Sequence, residues 1–312
     1  LLRIQQEGVD VKARRTLIAA AAVACAVAAV VPASTVQARS HRTTVRKHDV
    51  DAMPIKAARL APAARTVNIT YHQGPVVLGT TNVYFIWYGN WAGLNPGANA
   101  ILTNFAQNIG GSPYYNINTS YYNGANTHIS NSVQYAGSVN DNYSQGKTLT
   151  DATVQTVVSS AIASGALPKD TNALYFVLTS SDVGESSGFL TRYCGWHTNG
   201  TIAGSDIKFS FVGDPSKTPT ACESQTASSP NSNPAADGMV SVMAHELEET
   251  VTDPDLNAWY DRQGAENGDK CAWTFGTTLK APNGSNYNMT LGSLKYLIQR
   301  NWSASTQSCS LS

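Results

Sequence analysis

The residues best placed to do chemistry lie on one segment, Met239-Val240-Ser241-Val242-Met243-Ala244-His245-Glu246-Leu247-Glu248-Glu249-Thr250-Val251-Thr252-Asp253-Pro254. Its apolar residues recur at three and four positions, which predicts a helix over about 238–252 with Asp237 as its cap. At 100° per residue, Val240, Ala244, Leu247 and Val251 form a narrow apolar stripe. His245, Glu249 and Asp253 lie roughly opposite, with Glu246 at their margin. His245 and Glu249 therefore project together, one turn apart. Two ligands at i and i+4, with a glutamate directly after the first, are the means by which a helix grips zinc and supplies a general base; here the second ligand would be a carboxylate. Carboxylates bind zinc at about 2.0–2.2 Å, so the change is compatible with a site. The bland alternative is a solvated polar face.

A third ligand must come from downstream, where the chain is unusually acidic: eight of the 17 acidic residues beyond residue 65 lie within 246–269. Glu266, 17 residues after Glu249 and beyond the break at Pro254, is the first expectation, with Asp253 and Asp269 behind it. His245, Glu249 and Glu266 would then hold Zn2+ with one position open to water, and Glu246 would take the water's proton as it attacks a peptide carbonyl. Glu248, nearer the apolar stripe, is expected to face away and to be nearly silent on substitution. Two carboxylates bring the formal charge of the zinc and its ligands to zero, so the bound water should be less acidified than with one. Calcium is a rival. Asp253, Asp255, Asn257 and Asp261 occupy positions 1, 3, 5 and 9 of a twelve-residue calcium loop, but Ala258 stands where that loop wants glycine and Gly264 where it wants glutamate.

Four further segments carry a resemblance. Thr81-Asn82-Val83-Tyr84-Phe85-Ile86-Trp87-Tyr88-Gly89-Asn90-Trp91, Leu174-Tyr175-Phe176-Val177-Leu178-Thr179-Ser180-Ser181-Asp182-Val183, Cys194-Gly195-Trp196-His197 and Thr250-Val251-Thr252-Asp253-Pro254 resemble the phosphate-induced protein 1 or EXORDIUM family across most of residues 70–309. The resemblance implies an extracellular or cell-wall location and, in plants, a role in growth control without a settled biochemical activity. The plant pattern has small and apolar residues where His245-Glu246-x-x-Glu249 stands. The chain is therefore similar to a microbial branch whose helix resembles a zincin active site, which favours metal chemistry and weakens any transfer of the plant role. His197, inside the shared motif, is a candidate further ligand, although a structural histidine beside a disulfide is the stronger expectation.

Elements that would position these residues are legible around them. The dense run Val83–Tyr88 reads as a buried strand, 96–109 as a helix, 128–138 as a strand and 150–163 as a helix capped by Thr150. Leu174–Leu178 and Ile207–Val212 read as strands, 213–236 as a long loop, and the last quarter as irregular with short strands. Strands alternating with helices predict a mixed α/β fold: a mixed sheet with helices, as a zincin-like domain over residues 66–312. The Tyr114-Tyr115 and Tyr121-Tyr122 pairs with Trp87, Trp91 and Trp196 offer a sugar-stacking surface, but aromatics beside strands are more often core. Gly184-Glu185-Ser186-Ser187-Gly188 lacks the G-x-S-x-G elbow of a serine nucleophile and reads as a loop.

Compartment follows from the N-terminal residues and the cysteines. Lys12, Arg14 and Arg15, an apolar run over 16–31 and the small-residue site Val36-Gln37-Ala38 predict a signal peptide over residues 1–38, and hence a secreted chain with no membrane role after cleavage. Residues 39–65 read as a linker or pro-segment. Cys194, Cys222, Cys271 and Cys309 then imply two disulfides, with three pairings possible; local closure would give Cys194–Cys222 and Cys271–Cys309. Residues 66–312 carry 10 basic and 17 acidic side chains, about −7, which excludes a nucleic-acid partner. Two functions follow as expectations: a secreted zinc hydrolase acting on a peptide or protein substrate, or a non-catalytic wall-associated protein that binds glycan or Ca2+.

Overall fold

A computed structural model describes residues 50–58 and 67–312; the predicted leader and most of the predicted linker lie outside these. The elements that matter are β1 (Asp51–Pro54), β2 (Thr81–Tyr88), α1 (Ala98–Asn108), β3 (Val133–Asp141), α2 (Asp151–Ala163), β4 (Ala173–Thr179), β5 (Tyr193–Ile202), β6 (Ser205–Gly213), α3 (Pro234–Thr252), α4 (Asn267–Cys271), β7 (Asn301–Ser303) and β8 (Ser308–Ser310). Six strands form one mixed sheet in the order β1-β5-β6-β4-β2-β3. β3, β2, β4 and β6 are parallel, and β5 and β1 close one edge antiparallel. The mixed α/β expectation therefore holds.

Burial on both faces explains the continuous apolar strands. Val83, Phe85 and Trp87 of β2 pack into one core, and Tyr84, Ile86 and Tyr88 into the other. A central parallel strand has no face left for water, so it cannot show polar alternation. Helix α2 covers one face through Val154, Val157, Val158 and Ile162, and Thr150 caps it reciprocally with Thr153. Helices α1 and α3 cover the other. Each large apolar side chain fully buried this way contributes roughly 1.5–3 kcal/mol. The β5–β6 hairpin turns on Ala203 and Gly204, both at positive φ, as a two-residue loop matched to strand twist requires.

Two departures from the sequence reading bear on the site. Residues 51–54, read as linker, form the edge strand β1, with Met53 wholly buried and Asp51 opposite His197 on β5. Four residues are too few to show a period, and the basic, Ala- and Pro-rich flanks hide them. Helix α3 begins at Pro234, earlier than expected, with Asn233 as its cap; Asp237 instead accepts hydrogen bonds from Asn231.

Helix α3 has no solvated face: every residue from Ala235 to Thr252 is buried. One side rests on the sheet. The C-terminal residues close the other, with the Gln299 backbone N–H donating to Ser241 Oγ at 3.2 Å and Asn267 Nδ2 donating to the Glu248 carbonyl at 3.2 Å. The expected disulfides are formed, Cys194–Cys222 fastening β5 to the segment before α3 and Cys271–Cys309 fastening α4 to β8. No helix among the described residues is long and apolar enough to cross a membrane.

Candidate metal centre

Because α3 is buried all round, the side chains opposite its apolar stripe meet other protein groups instead of water. His245, Glu246 and Glu249 are 0% exposed, as are His197 and Glu266. The helix brings His245 Nε2 to 2.9 Å from Glu249 Oε1, the one-turn pairing expected from i, i+4 spacing. Asp269 from α4 adds Oδ1 at 3.7 Å from His245 Nε2, and its backbone N–H donates to Glu249 Oε1 at 3.0 Å.

The largest departure from expectation is His197. β5 carries it into the same cluster, Nδ1 lying 3.4 Å from Glu246 Oε2 and 3.5 Å from Glu249 Oε2. Gly195 makes this approach possible: a Cβ there would fall 2.6 Å from Val242 Cγ1 and 2.9 Å from the Phe211 carbonyl, so a larger residue would hold α3 off the strand. The available signal is the spacing Gly195-x-His197, which puts both on one face of a strand, but the composition of β5 does not mark it as one. Gly268 performs the same service opposite, where a Cβ would stand 2.9 Å from both Glu249 Oε1 and His245 Cγ.

Glu266 is present but differently placed. Its Oε2 lies 3.8 Å from His197 Nε2, on the far side of that ring from Glu246 and Glu249, so it approaches His197 rather than the His245–Glu249 pair. Asp269, a reserve candidate for the third ligand, is the acid that stands beside the His245–Glu249 pair. Asp253 stands apart, its Oδ1 accepting from the backbone N–H groups of Asn257 and Ala258 at the end of α3. Asp261 accepts from Gln263 and Ala265 and pairs with buried Lys270 at 2.7 Å. Asp253 and Asp261 of the candidate calcium loop thus bind backbone and lysine, Asp255 faces Asp206, and among the described residues these acids form no common donor cluster. Glu248 does not face solvent: it is wholly buried and accepts from Asn118 Nδ2 and, at 3.0 Å, from Asn301 Nδ2. Tyr114, Tyr115, Tyr121, Trp87, Trp91 and Trp196 are core, which removes them as a sugar-stacking surface. Glu185 accepts from Ser187 and Tyr193, with no histidine joining them.

The electrostatics follow from burying so many ionisable groups together. Burial alone would lower the histidines, but Glu246 and Glu249 outweigh it and hold His197 at about 10; His245 is also raised, chiefly by Glu249. Burial raises Glu246 to about 7 and lifts Asp269 well above the ordinary carboxylate range, whereas the charges of His245 and His197 keep Glu249 ionised, at about 2. A buried set of two imidazoles and several carboxylates either shares protons or neutralises a cation. Its donor types suit a divalent transition metal.

The fold and this cluster define a mixed α/β protein with a buried histidine–carboxylate centre. The sequence profile described as phosphate-induced protein 1 conserved region matches residues 69–312, and the chain belongs to that family. It is 32% identical over 286 residues to protein EXORDIUM-like 5 of Arabidopsis thaliana, covering 80% of this chain and 78% of that one. To protein PHOSPHATE-INDUCED 1 of Nicotiana tabacum it is 26% identical over 285 residues, covering 78% and 87%. No solved structure matches it.

Proposed function

We propose that this chain is a non-catalytic extracellular member of its family, in which the histidine–carboxylate centre holds a divalent metal ion as part of the core. One observation carries the reading: the side chains of His197, His245, Glu246, Glu249 and Glu266 meet at 0% exposure. A catalytic zinc keeps a coordination position open to substrate, whereas a closed site converts metal affinity into folding free energy. Two imidazole donors favour Zn2+ over Ca2+. The extracellular assignment is supported by the leader pattern and by two disulfides.

The competing reading is a zincin-like peptidase with Glu246 as general base. Against it, Glu246 is engaged on both oxygens, by His197 and, at 3.4 Å, by the Met53 backbone N–H of β1. Metal analysis and thermal unfolding of the purified chain with and without chelator test the proposal. Stoichiometric zinc whose removal lowers Tm by more than 10 °C, with no peptide hydrolysis, is the expected result. Peptide turnover that Glu246→Gln abolishes while metal is retained would overturn it in favour of the peptidase.

A further inference from the structure

We infer that the buried centre holds two divalent cations side by side, bridged by the carboxylate of Glu249. This rests on the metal-holding reading above and adds to it the stoichiometry and the division of ligands.

The donors fall into two triads, His197 with Glu246 and Glu249, and His245 with Glu249 and Asp269. Each triad gathers its three donor atoms within 4.8 Å, and neither takes in the other's histidine. Ligands bonded to one zinc at about 2.0–2.2 Å can be no more than about 4.4 Å apart, and it is within each triad, rather than across the two, that three donor atoms gather on about that scale. Glu249 is the shared member, and its oxygens are divided: Oε1 lies 2.9 Å from His245 Nε2 and Oε2 lies 3.5 Å from His197 Nδ1. A carboxylate turned this way offers one oxygen to each of two ions, as in paired-metal centres about 3.5–4 Å across.

Charge agrees. With neutral imidazoles and ionised acids, Glu246, Glu249, Glu266 and Asp269 carry −4, and Asp51 on β1 lies near enough to act on His245 and Asp269; one divalent cation leaves the largely buried cluster strongly negative, and two bring it close to neutral. A ligating histidine turns one ring nitrogen to the metal and donates its other ring N–H to an acceptor. For His197 the acceptor in reach is Glu266, whose Oε2 stands 3.8 Å from Nε2, a contact that must shorten when the ring ligates; Glu266 is thereby a positioning residue for His197. For His245 it is the side chain of Gln299, which places its amide nitrogen 2.5 Å from Nδ1 and must present its Oε1 there instead for Nε2 to be free for a metal. Among the described residues His245 Nε2, His197 Nε2 and Glu249 Oε2 are fully buried without a well-directed hydrogen bond.

The experiment is zinc titration of the full, metal-stripped chain, with bound metal counted by elemental analysis and folding checked by circular dichroism. Two zinc ions per wild-type chain are expected, one in His197→Ala, one in Asp269→Asn, and fewer than about 0.2 in Glu249→Gln. If His197→Ala does not fold, Glu266→Gln replaces it: one of the two zinc ions should bind about 10–100-fold more weakly, with the other unchanged. Loading with Co2+ alone should give an exchange-coupled magnetic signal in wild type that the one-metal variants lack. A single zinc in wild type, lost in both His197→Ala and His245→Ala, would overturn the bridged pair while leaving the metal-holding function intact. No bound zinc at all would overturn both.

Discussion

Glu248 and Glu249 are neighbours on α3, equally buried, and chemically opposite. Glu249 looks into the histidine cluster, where His245 and His197 keep it ionised. Glu248, turned by about 100°, looks toward Asn118 and Asn301, near Tyr114, Tyr115 and Tyr121, where no cationic group among the described residues acts on it and burial pushes its carboxyl well above the ordinary range. The lesson is that burial sets only the cost of a charge; the partners decide whether the charge is kept. One wall of the helix is thereby prepared for a cation and the adjacent one for a neutral hydrogen-bonded acid.

The sharpest way to break this contrast is Glu249→Ala, which strands two buried histidines and the remaining carboxylates. It should lose bound metal and about 3–5 kcal/mol of stability in denaturant titration. Next is Glu248→Ala, which leaves the Asn118 amide without its acceptor and Asn301 with Asn118 Oδ1 alone, and should cost roughly 1–3 kcal/mol while metal content stays unchanged. Glu248→Gln keeps an acceptor of the same shape and should cost less than about 1 kcal/mol; equal losses for the two Glu248 variants would show that the pocket does not read the acceptor. Gly268→Ala puts a methyl group against both Glu249 and His245, so it should cost roughly 1–3 kcal/mol and weaken zinc binding, measurable by chelator competition.

Glu223 supplies the smallest and most general test. It is 3% exposed, and burial followed by the nearby charge of Asp214 raises its carboxyl to about 7. The native state therefore binds a proton more tightly than the unfolded chain, whose glutamates titrate near about 4.3. Stability from this group is complete below that pH and declines as pH rises towards about 7. Glu223→Gln should flatten that part of the stability profile and leave the protein more stable above pH 7; an unchanged slope would mean Glu223 is ionised in the fold without cost.

Much of this architecture was legible because local rules dominate it. β2, β4 and β6 announced themselves through aromatic and β-branched runs, α2 through Thr150 and its spacing, and the pairing of His245 with Glu249 through the 3.6-residue period. Local closure also anticipated both disulfides. β1 and β5 were not legible. Four residues carry no period, and β5 is interrupted by Gly195, Asn199 and Gly200, residues depleted in strands, which break up its strand signal.

By itself, then, the sequence determined that the chain is mixed α/β and that one helix turn presents a histidine and two glutamates at metal-binding spacing, since both follow from intervals of a few residues. Only the tertiary structure decided which groups complete the cluster. His197 arrives from a strand 48 residues before His245, admitted by the missing side chain of Gly195, while Glu266 and Asp269, three residues apart, end up beside different histidines. It decided equally that the polar wall of α3 is sealed, because the C-terminal residues fold over it. Spacing along a chain fixes directions within one element; which elements close over a face depends on packing between residues far apart in sequence, and no local period records it.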